Sequence, residues 1–348
     1  MGKFISASYL DALSECKGRF QEESKSPPEE ASKLAQAGTL MHSALAGENV
    51  TLTQEQRDTV NSLKRNRMQL EEEIFRGEQY RTMIETRLFM FDPFDGKFSG
   101  KPDFVAYTND TALIVDYKTG FNEVIASESW QLRALAVLVF ENLSVSRVVC
   151  AIAQPFREIV PVIYDLRELA EAKIEIVHLI QSALDEDAPR TPTPNACRYC
   201  RAKATCAAAR QMTSDISTQD VSAIPIRELP KVLDACTVAE AVIKTIRKRA
   251  KTILADNADS ITGWALKSGR KTRTITDVGE MRSRIESSKL LPKKSQDKLK
   301  ISLTEIEREI SGYLGITMKE ARDVLEKVAG DIIEIKEGEP ILSRQGGK

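Results

Sequence analysis

The sequence predicts an α/β protein with a mainly helical C-terminal part. Three observations carry that prediction. Helix-period apolar spacing occupies residues 6–46 and 53–76. Three β-rich runs joined by short polar turns follow between Thr82 and Tyr117, and helical spacing dominates again after about residue 226. Apolar residues recurring every three to four positions mark a helix with one buried face, whereas short apolar runs bounded by turn residues mark strands.

Taken in order, residues 6–46 read as helical. Ser8 is the expected N-cap before Tyr9-Leu10-Asp11-Ala12-Leu13, Ser24–Glu30 is a loop around Pro27-Pro28, and Gly38 leads into Thr39-Leu40-Met41-His42. Residues 53–76 form a charged amphipathic helix with Val60, Leu63, Met68 and Leu70 among its apolar positions. Thr82–Phe91, Phe98–Tyr107 and Thr111–Tyr117 are the three strands, separated by turns at Asp92–Lys97 and Thr108-Asn109-Asp110. Turns this short favour an antiparallel meander. Gly120 ends the third strand. A helix is expected over about 123–142, strands over Arg147–Ala153 and Ile159–Tyr164, and a long helix from Asp165 to about Asp185.

A Pro-rich stretch, Ala188–Pro194, then leads to a cysteine cluster, and Thr213–Ile224 is polar and linker-like. Beyond it come a helix over Leu229–Ala255, a short Trp264 segment of hairpin character, and helices over about 277–287, 293–309 and 317–328. The expected organisation is a domain over residues 1–212, a linker over 213–225 and a mainly helical module over 226–348 that contacts a partner or forms an oligomer.

The 348 residues, 42% hydrophobic and 29% charged, have the make-up of a globular protein. No run approaches the roughly 18 apolar residues of a membrane span, and Met1–Phe20 lacks a signal-peptide core. A cytoplasmic protein without a membrane partner is therefore expected. The net charge of −1 gives no bulk nucleic-acid footprint. Basic clusters occur locally at Lys64/Arg65/Arg67, at Lys244/Arg247/Lys248/Arg249/Lys251 and at Lys267/Arg270/Lys271/Arg273. Solvated faces are the ordinary explanation for such clusters, but a protein acting on a polyanion can use them while staying near neutral. Trp264 beside the third cluster adds an aromatic surface of the kind bases stack on.

Two acidic positions stand out. Asp103, in Gly100-Lys101-Pro102-Asp103, belongs to the second strand, and Asp116 and Lys118 close the third. Residues i and i+2 of a strand share a face, so Asp116 and Lys118 project together while pairing brings Asp103 alongside. Asp-x-Lys is common on exposed strands. Here it follows the apolar run Leu113-Ile114-Val115, where charges are costly unless they are paired or hold an ion. Two carboxylates and an ammonium supply what Mg²⁺- or Mn²⁺-assisted phosphodiester cleavage requires.

Cys197, Cys200 and Cys206 form a C-x2-C-x5-C cluster, which is metal-ligand spacing lacking a fourth ligand. Chemistry alone allows Zn²⁺ with a distant residue, or an iron–sulfur cluster. Cys150 alternates with apolar residues as a core thiol, Cys236 reads likewise, and His178 in its apolar helical run has no evident role.

Gly100-x-x-Asp103, Asp116-Tyr117-Lys118-Thr119-Gly120, the downstream Gln131 and Gly38-Thr39-Leu40-Met41-His42 resemble the motifs of the RecB-like branch of the PD-(D/E)XK nucleases. The resemblance covers roughly residues 1–210 and implies a restriction-endonuclease-like core, a central mixed sheet flanked by helices. It further implies that His42, Asp103, Asp116 and the backbone carbonyl of Tyr117 hold Mg²⁺ or Mn²⁺, that Lys118 positions or activates water, and that Gln131 supports the site. The branch usually has Gln-x-x-x-Tyr, where this chain has Gln131 and Leu135. Glu85 is a further acidic candidate, with a solvated edge-strand charge as its competing explanation.

Ser6-x-Ser8-x-Leu10 followed by Cys16-x-x-x-Phe20 resembles the N-terminal cysteine motif of the iron–sulfur members, such as the AddB-type and CRISPR-associated adaptation nucleases, with Lys17 where proline is common. That resemblance implies a structural [4Fe–4S] cluster on Cys16, Cys197, Cys200 and Cys206, with Zn²⁺ as the second choice.

The implied activity is that of a DNA exonuclease, in phage or prophage recombination or repair inside a bacterial host cell, beside a single-strand annealing or binding partner. The alternatives are a catalytically idle DNA-binding or scaffold protein of the same fold and a CRISPR-type adaptation nuclease.

Overall fold

The computed structural model describes residues 5–28, 32–94, 97–120, 122–218, 220–293 and 302–344. It divides into two units, Met1–Ile243 and Lys244–Lys348.

The first unit is a mixed α/β structure around a five-stranded sheet. Its strands are β2 (Arg81–Ile84), β5 (Phe104–Tyr107), β6 (Thr111–Tyr117), β7 (Arg147–Ala153) and β8 (Val162–Tyr164), in the order β2-β5-β6-β7-β8. The β6–β7 pair is parallel and the others are antiparallel. Parallel neighbours need a long crossover, here provided by α5 (Trp130–Asn142). β6 is the central strand. Ala112 and Ile114 face the layer of α1 (Leu10–Glu15), α5 and α6 (Leu166–Leu184), while Leu113, Val115 and Tyr117 face α3 (Lys33–Leu45) and α4 (Gln54–Phe75). This period-two alternation with both faces apolar is the pattern of a strand buried between two helical layers. It puts Asp116 on the α5 face. A capping box of Thr53 and Gln56 starts α4, and Arg67 of its basic cluster lies 4.5 Å over the Phe104 ring and bonds Glu71 at 3.2 Å. Arg67 is thus a packing residue.

The expected three-strand meander is broken. Thr82–Phe91 divides into β2 and β3 (Leu88–Met90), and Phe98–Tyr107 into β4 (Phe98–Gly100) and β5. β3 and β4 join β1 (Ile5–Ser6) in a separate three-stranded sheet, β1-β4-β3. The break has two local causes: Glu85 adopts a positive φ of 48°, and Pro102 lacks an amide for the ladder. Ser8 does not cap α1, since its hydroxyl pairs with that of Ser6 and the cap position falls at Tyr9. The helix expected from residue 123 begins at Trp130, after a 3₁₀ turn over Ala126–Glu128.

The segment read as a linker is partly helical. α8 (Ala207–Thr218) covers its first half because Ala209 and Met212 pack with Cys197, Val238 and Val242. The helix expected as the start of the C-terminal module, α9 (Leu229–Asp256), therefore contributes its first half to the first unit. The remaining helices here are α2 (Arg19–Ser24) and α7 (Pro194–Arg198).

The second unit is less helical than expected. α10 (Val278–Ser288), α11 (Leu303–Leu314) and α12 (Met318–Ala329) enclose Met281, Ile285, Ile306, Ile310, Ala321 and Leu325. The expected helix over 293–309 overlaps residues 294–301, which lie outside the described residues. Trp264 is not in a local hairpin: β9 (Trp264–Lys267) pairs with β12 (Ile341–Arg344), and β10 (Thr272–Ile275) with β11 (Ile333–Lys336). Both pairs share one antiparallel register. Arg273 turns inward to ion-pair with the buried Glu307, so it is unavailable to a nucleic acid, and Lys271 pairs with Glu337 at 3.0 Å. No helix among the described residues is long and apolar enough to cross a membrane.

Candidate metal centre and cysteine cavity

The end of β6 is where the two helical layers meet. α3 brings His42 from one side; Gly38, one turn earlier, abuts Thr119, and a Cβ there would stand 3.3 Å from its hydroxyl. The Gly-Thr-x-x-His spacing thus seats the helix against the loop that follows Lys118. His42 Nδ1 lies 3.2 Å from Asp103 Oδ1, and Asp103 Oδ2 accepts the Tyr117 amide at 2.7 Å. Asp103 sits in the junction between β4 and β5 rather than within a strand. Glu85 leaves β2, pairs with Lys101, and donates its amide to the Asp103 carbonyl at 3.2 Å. One ligand atom each from His42, Glu85 and Asp103 lie within 4.8 Å of one another. The positive φ that breaks the first strand is what swings Glu85 into this group.

Asp116, Lys118 and Gln131 close a ring beside it. Lys118 Nζ lies 2.8 Å from Asp116 Oδ2 and donates to Gln131 Oε1 at 2.9 Å, while Gln131 Nε2 donates to Asp116 Oδ1 at 2.9 Å. Asp116 is 4% exposed. Burial pushes its carboxyl upward, Asp103 adds to this, and Lys118 and His42 oppose it. Burial pulls the Lys118 ammonium downward, but Asp116, Asp103 and Asp11 outweigh it and hold the pKa above the ordinary lysine value. His42 is raised, chiefly by its hydrogen bond to Asp103 and against its own burial. The structure thus brings together His42, Asp103, Asp116, Tyr117, Lys118 and Gln131. It places Asp116 against Lys118 and Gln131 and outside the His42–Glu85–Asp103 triple.

Leu135, four residues after Gln131 on α5, is 1% exposed. Its Cδ2 would lie 2.7 Å from a Cβ on Gly100. Gly100 therefore serves close packing of β4 on α5, and Leu135 belongs to the core.

Two contributors escape sequence reasoning. Asp11 on α1 accepts the Trp130 and Gln131 amides at 2.7 and 3.3 Å. The buried Gln154 fixes the loop after Lys118 by accepting the Val124 amide at 2.9 Å and donating to the Gly120 and Asn122 carbonyls at 3.2 and 2.8 Å. Neither lies in a motif, and their partners are distant in sequence.

The four cysteines Cys16, Cys197, Cys200 and Cys206 line one small cavity with Arg19, Glu22, Arg190 and Lys203. Cys16 caps the C-terminus of α1, and its sulfur accepts the Thr191 amide at 3.3 Å. Arg19 crosses to the carbonyls of Ala196 and Tyr199 at 3.3 and 3.0 Å. Burial pushes the Cys197 thiol up and the Cys200 thiol to about 11. Cys150 is fully buried in the sheet, and Cys236 is partly exposed on α9.

Several solved structures are distantly similar to this chain, three exonuclease chains among them. A candidate exonuclease from Eubacterium rectale shares 14% identity at a TM-score of 0.36, covering 64% of this chain and 91% of that one. An alkaline exonuclease from Laribacter hongkongensis shares 12% at 0.28, covering 52% and 88%. The latter enzyme in complex with dAMP shares 11% at 0.25, covering 50% and 90%. No curated protein matches the chain. Residues 49–348 match the model of the family described as "Protein of unknown function (DUF2800)", and the chain belongs to that family.

Proposed function

We propose that this protein is a divalent-metal-dependent DNA exonuclease whose reaction centre is the corner at the end of β6. The observation that carries this reading is the convergence of His42, Glu85 and Asp103 within 4.8 Å, beside an ammonium fixed by Asp116 and Gln131. One imidazole nitrogen with two carboxylate oxygens fits Mn²⁺ or Mg²⁺. His42, Glu85 and Asp103 would hold the ion, with Asp116 and the Tyr117 carbonyl as the next oxygens along the strand. When bound, the ion supplies Lewis-acid polarisation of the phosphate and a more acidic water. The chain's own contribution is a pre-oriented cation: Lys118 presents its ammonium where negative charge builds on the phosphoryl oxygens. Asp116 Oδ2, 2.8 Å from Lys118 Nζ, is placed to exchange a proton with it. Action at DNA ends, and work in phage or prophage recombination beside a single-strand annealing protein, follow from the motif resemblance.

The cysteine cavity is inferred to hold a [4Fe–4S] cluster. Four thiols brought to one cavity, from the end of α1 and from the segment around α7, are the donor set that such a cluster takes, with Zn²⁺ as the second choice. Protein purified without oxygen should be brown and contain iron. Colourless protein with stoichiometric zinc would reverse the assignment.

The test of the activity is one gel series. End-labelled linear, circular and single-stranded DNA are incubated with Mn²⁺ or Mg²⁺ and wild-type or Asp103→Ala protein. Mononucleotide release from linear DNA, with circles intact and the variant inactive, is the expected result. Binding without metal-dependent hydrolysis by the wild type would establish the idle scaffold instead.

A further inference from the structure

α5 carries its own cap, because Ser129 Oγ accepts the Leu132 amide at 3.2 Å. The first two amides of the helix nonetheless go elsewhere. Asp11 Oδ1 accepts Trp130 N at 2.7 Å, and Asp11 Oδ2 accepts Gln131 N at 3.3 Å. Asp11 lies in the first turn of α1, and its carboxylate is part-buried at this contact. With Ser129 already in place, Asp11 is not needed to start the helix. What it adds is registration: it fixes where the first turn of α5 stands against α1. Gln131 is in that turn, and its side chain grips both Asp116 and Lys118 at 2.9 Å. The chain of contact runs from a carboxylate on α1, through two backbone amides and one carboxamide, to the ammonium.

We propose that Asp11 is a positioning residue for Lys118 and Asp116, acting through the first turn of α5. The inference rests on the nuclease reading for its meaning in catalysis. Its physical content is that the orientation of Gln131 depends on Asp11. A positioning role of this kind typically costs about tenfold to a hundredfold when removed.

The experiment compares full-length wild type with Asp11→Ala, Asp11→Asn and Ser129→Ala. Asp11→Ala is expected to lower kcat about tenfold to a hundredfold, with the KM for DNA and the Mn²⁺ half-saturation unchanged. Asp11→Asn keeps one acceptor oxygen but turns an amide nitrogen toward the second backbone N–H, so it should recover only part of that loss. Ser129→Ala removes the local cap and the hydrogen bond between its hydroxyl and Asp11, at a comparable cost in Tm, but leaves both backbone amides on Asp11 and should keep kcat within about threefold. If Asp11→Ala and Ser129→Ala lose activity alike, in step with Tm, Asp11 is merely another helix cap and the inference is overturned. A readout without turnover separates this from failure of the nuclease reading. Protein labelled with ¹⁵N-glutamine reports the Gln131 carboxamide, assigned by its disappearance in Gln131→Glu. That resonance should shift in Asp11→Ala and hold in Ser129→Ala. An unmoved resonance in Asp11→Ala overturns the inference whether or not the wild type cuts DNA.

Discussion

The corner at the end of β6 and the cysteine cavity are candidate metal centres within one unit, built in opposite ways. In the corner the charges satisfy one another: Asp116 is held by Lys118 and Gln131, and Asp103 by His42 and the Tyr117 amide. Most of these groups lie on β6 or the segments packed directly on it, so strand pairing sets the geometry. In the cavity burial prevails and raises Cys197 and Cys200, while the four sulfurs come from segments roughly 180 residues apart in sequence. The corner is therefore a site that the fold holds in shape. The cavity is a place where a bound group would hold the fold in shape. Substitutions in the first should remove activity before stability, and substitutions in the second should do the reverse.

Asp116→Asn is the largest expected effect and the most direct way to break that contrast. It preserves the shape and the bond to Gln131 but removes the charge facing Lys118. The Mn²⁺-dependent rate should fall about a thousandfold or more, with Tm within a few degrees of wild type. A variant that unfolds instead would mean that the corner too is a structural clasp. Cys16→Ser is the counterpart. Losing the proposed clasp frees a long loop in the unfolded chain and should cost on the order of 3–5 kcal/mol in chemical denaturation, together with the iron of the proposed cluster. Unchanged stability with iron lost would remove the structural role from the cavity.

Gly100→Ala probes the seat of α5 at smaller cost. The new Cβ would stand 2.6 Å from Leu138 Cδ1 and 2.7 Å from Leu135 Cδ2. Overpacking of this kind costs about 1–3 kcal/mol. Because Gln131 rides on the same helix, activity should fall further than stability alone predicts, which thermal melts and kcat measured on one preparation would show.

These residues also show how much the sequence could reveal. The central strand, the crossover helix and the acidic corner were legible because periodicity and local motifs are short-range signals: Leu113–Val115 announces a buried strand, and Asp116-x-Lys118 its charged end. The split of the first two strands into two sheets was not legible. It depends on a positive φ at Glu85 and on pairing of residues 98–100 with residues 5–6, neither of which leaves a period. Trp264 likewise suggested a local hairpin, yet its partner strand is 341–344. In sequence Arg273 is indistinguishable from its basic neighbours, and only its ion pair with the buried Glu307 sets it apart. Asp11 could not be found from sequence at all, because an aspartate in a helical first turn is unremarkable without its partners at residues 130 and 131.

The smallest expected effect is a count of protons. A metal takes neutral imidazole, carboxylate and thiolate, so any proton on those groups must leave. In the corner the His42 imidazole is held above its ordinary pKa, chiefly by its hydrogen bond to Asp103. The sign follows: the His42–Asp103 pair stabilises the protein fully below the unfolded histidine pKa, and that contribution is lost as pH rises through the raised folded value. Mn²⁺ affinity should accordingly climb with pH over the same window and then level off. In the cavity the raised thiols of Cys197 and Cys200 are protonated at neutral pH, so loading must release several protons. Titration calorimetry in two buffers of different ionisation enthalpy reads both. Mn²⁺ on wild type near pH 7.5 should release about one proton or fewer, and Zn²⁺ on the cluster-free Asp103→Ala protein several. Equal counts would mean that the two centres are not, after all, a pre-paired site and an unpaired one.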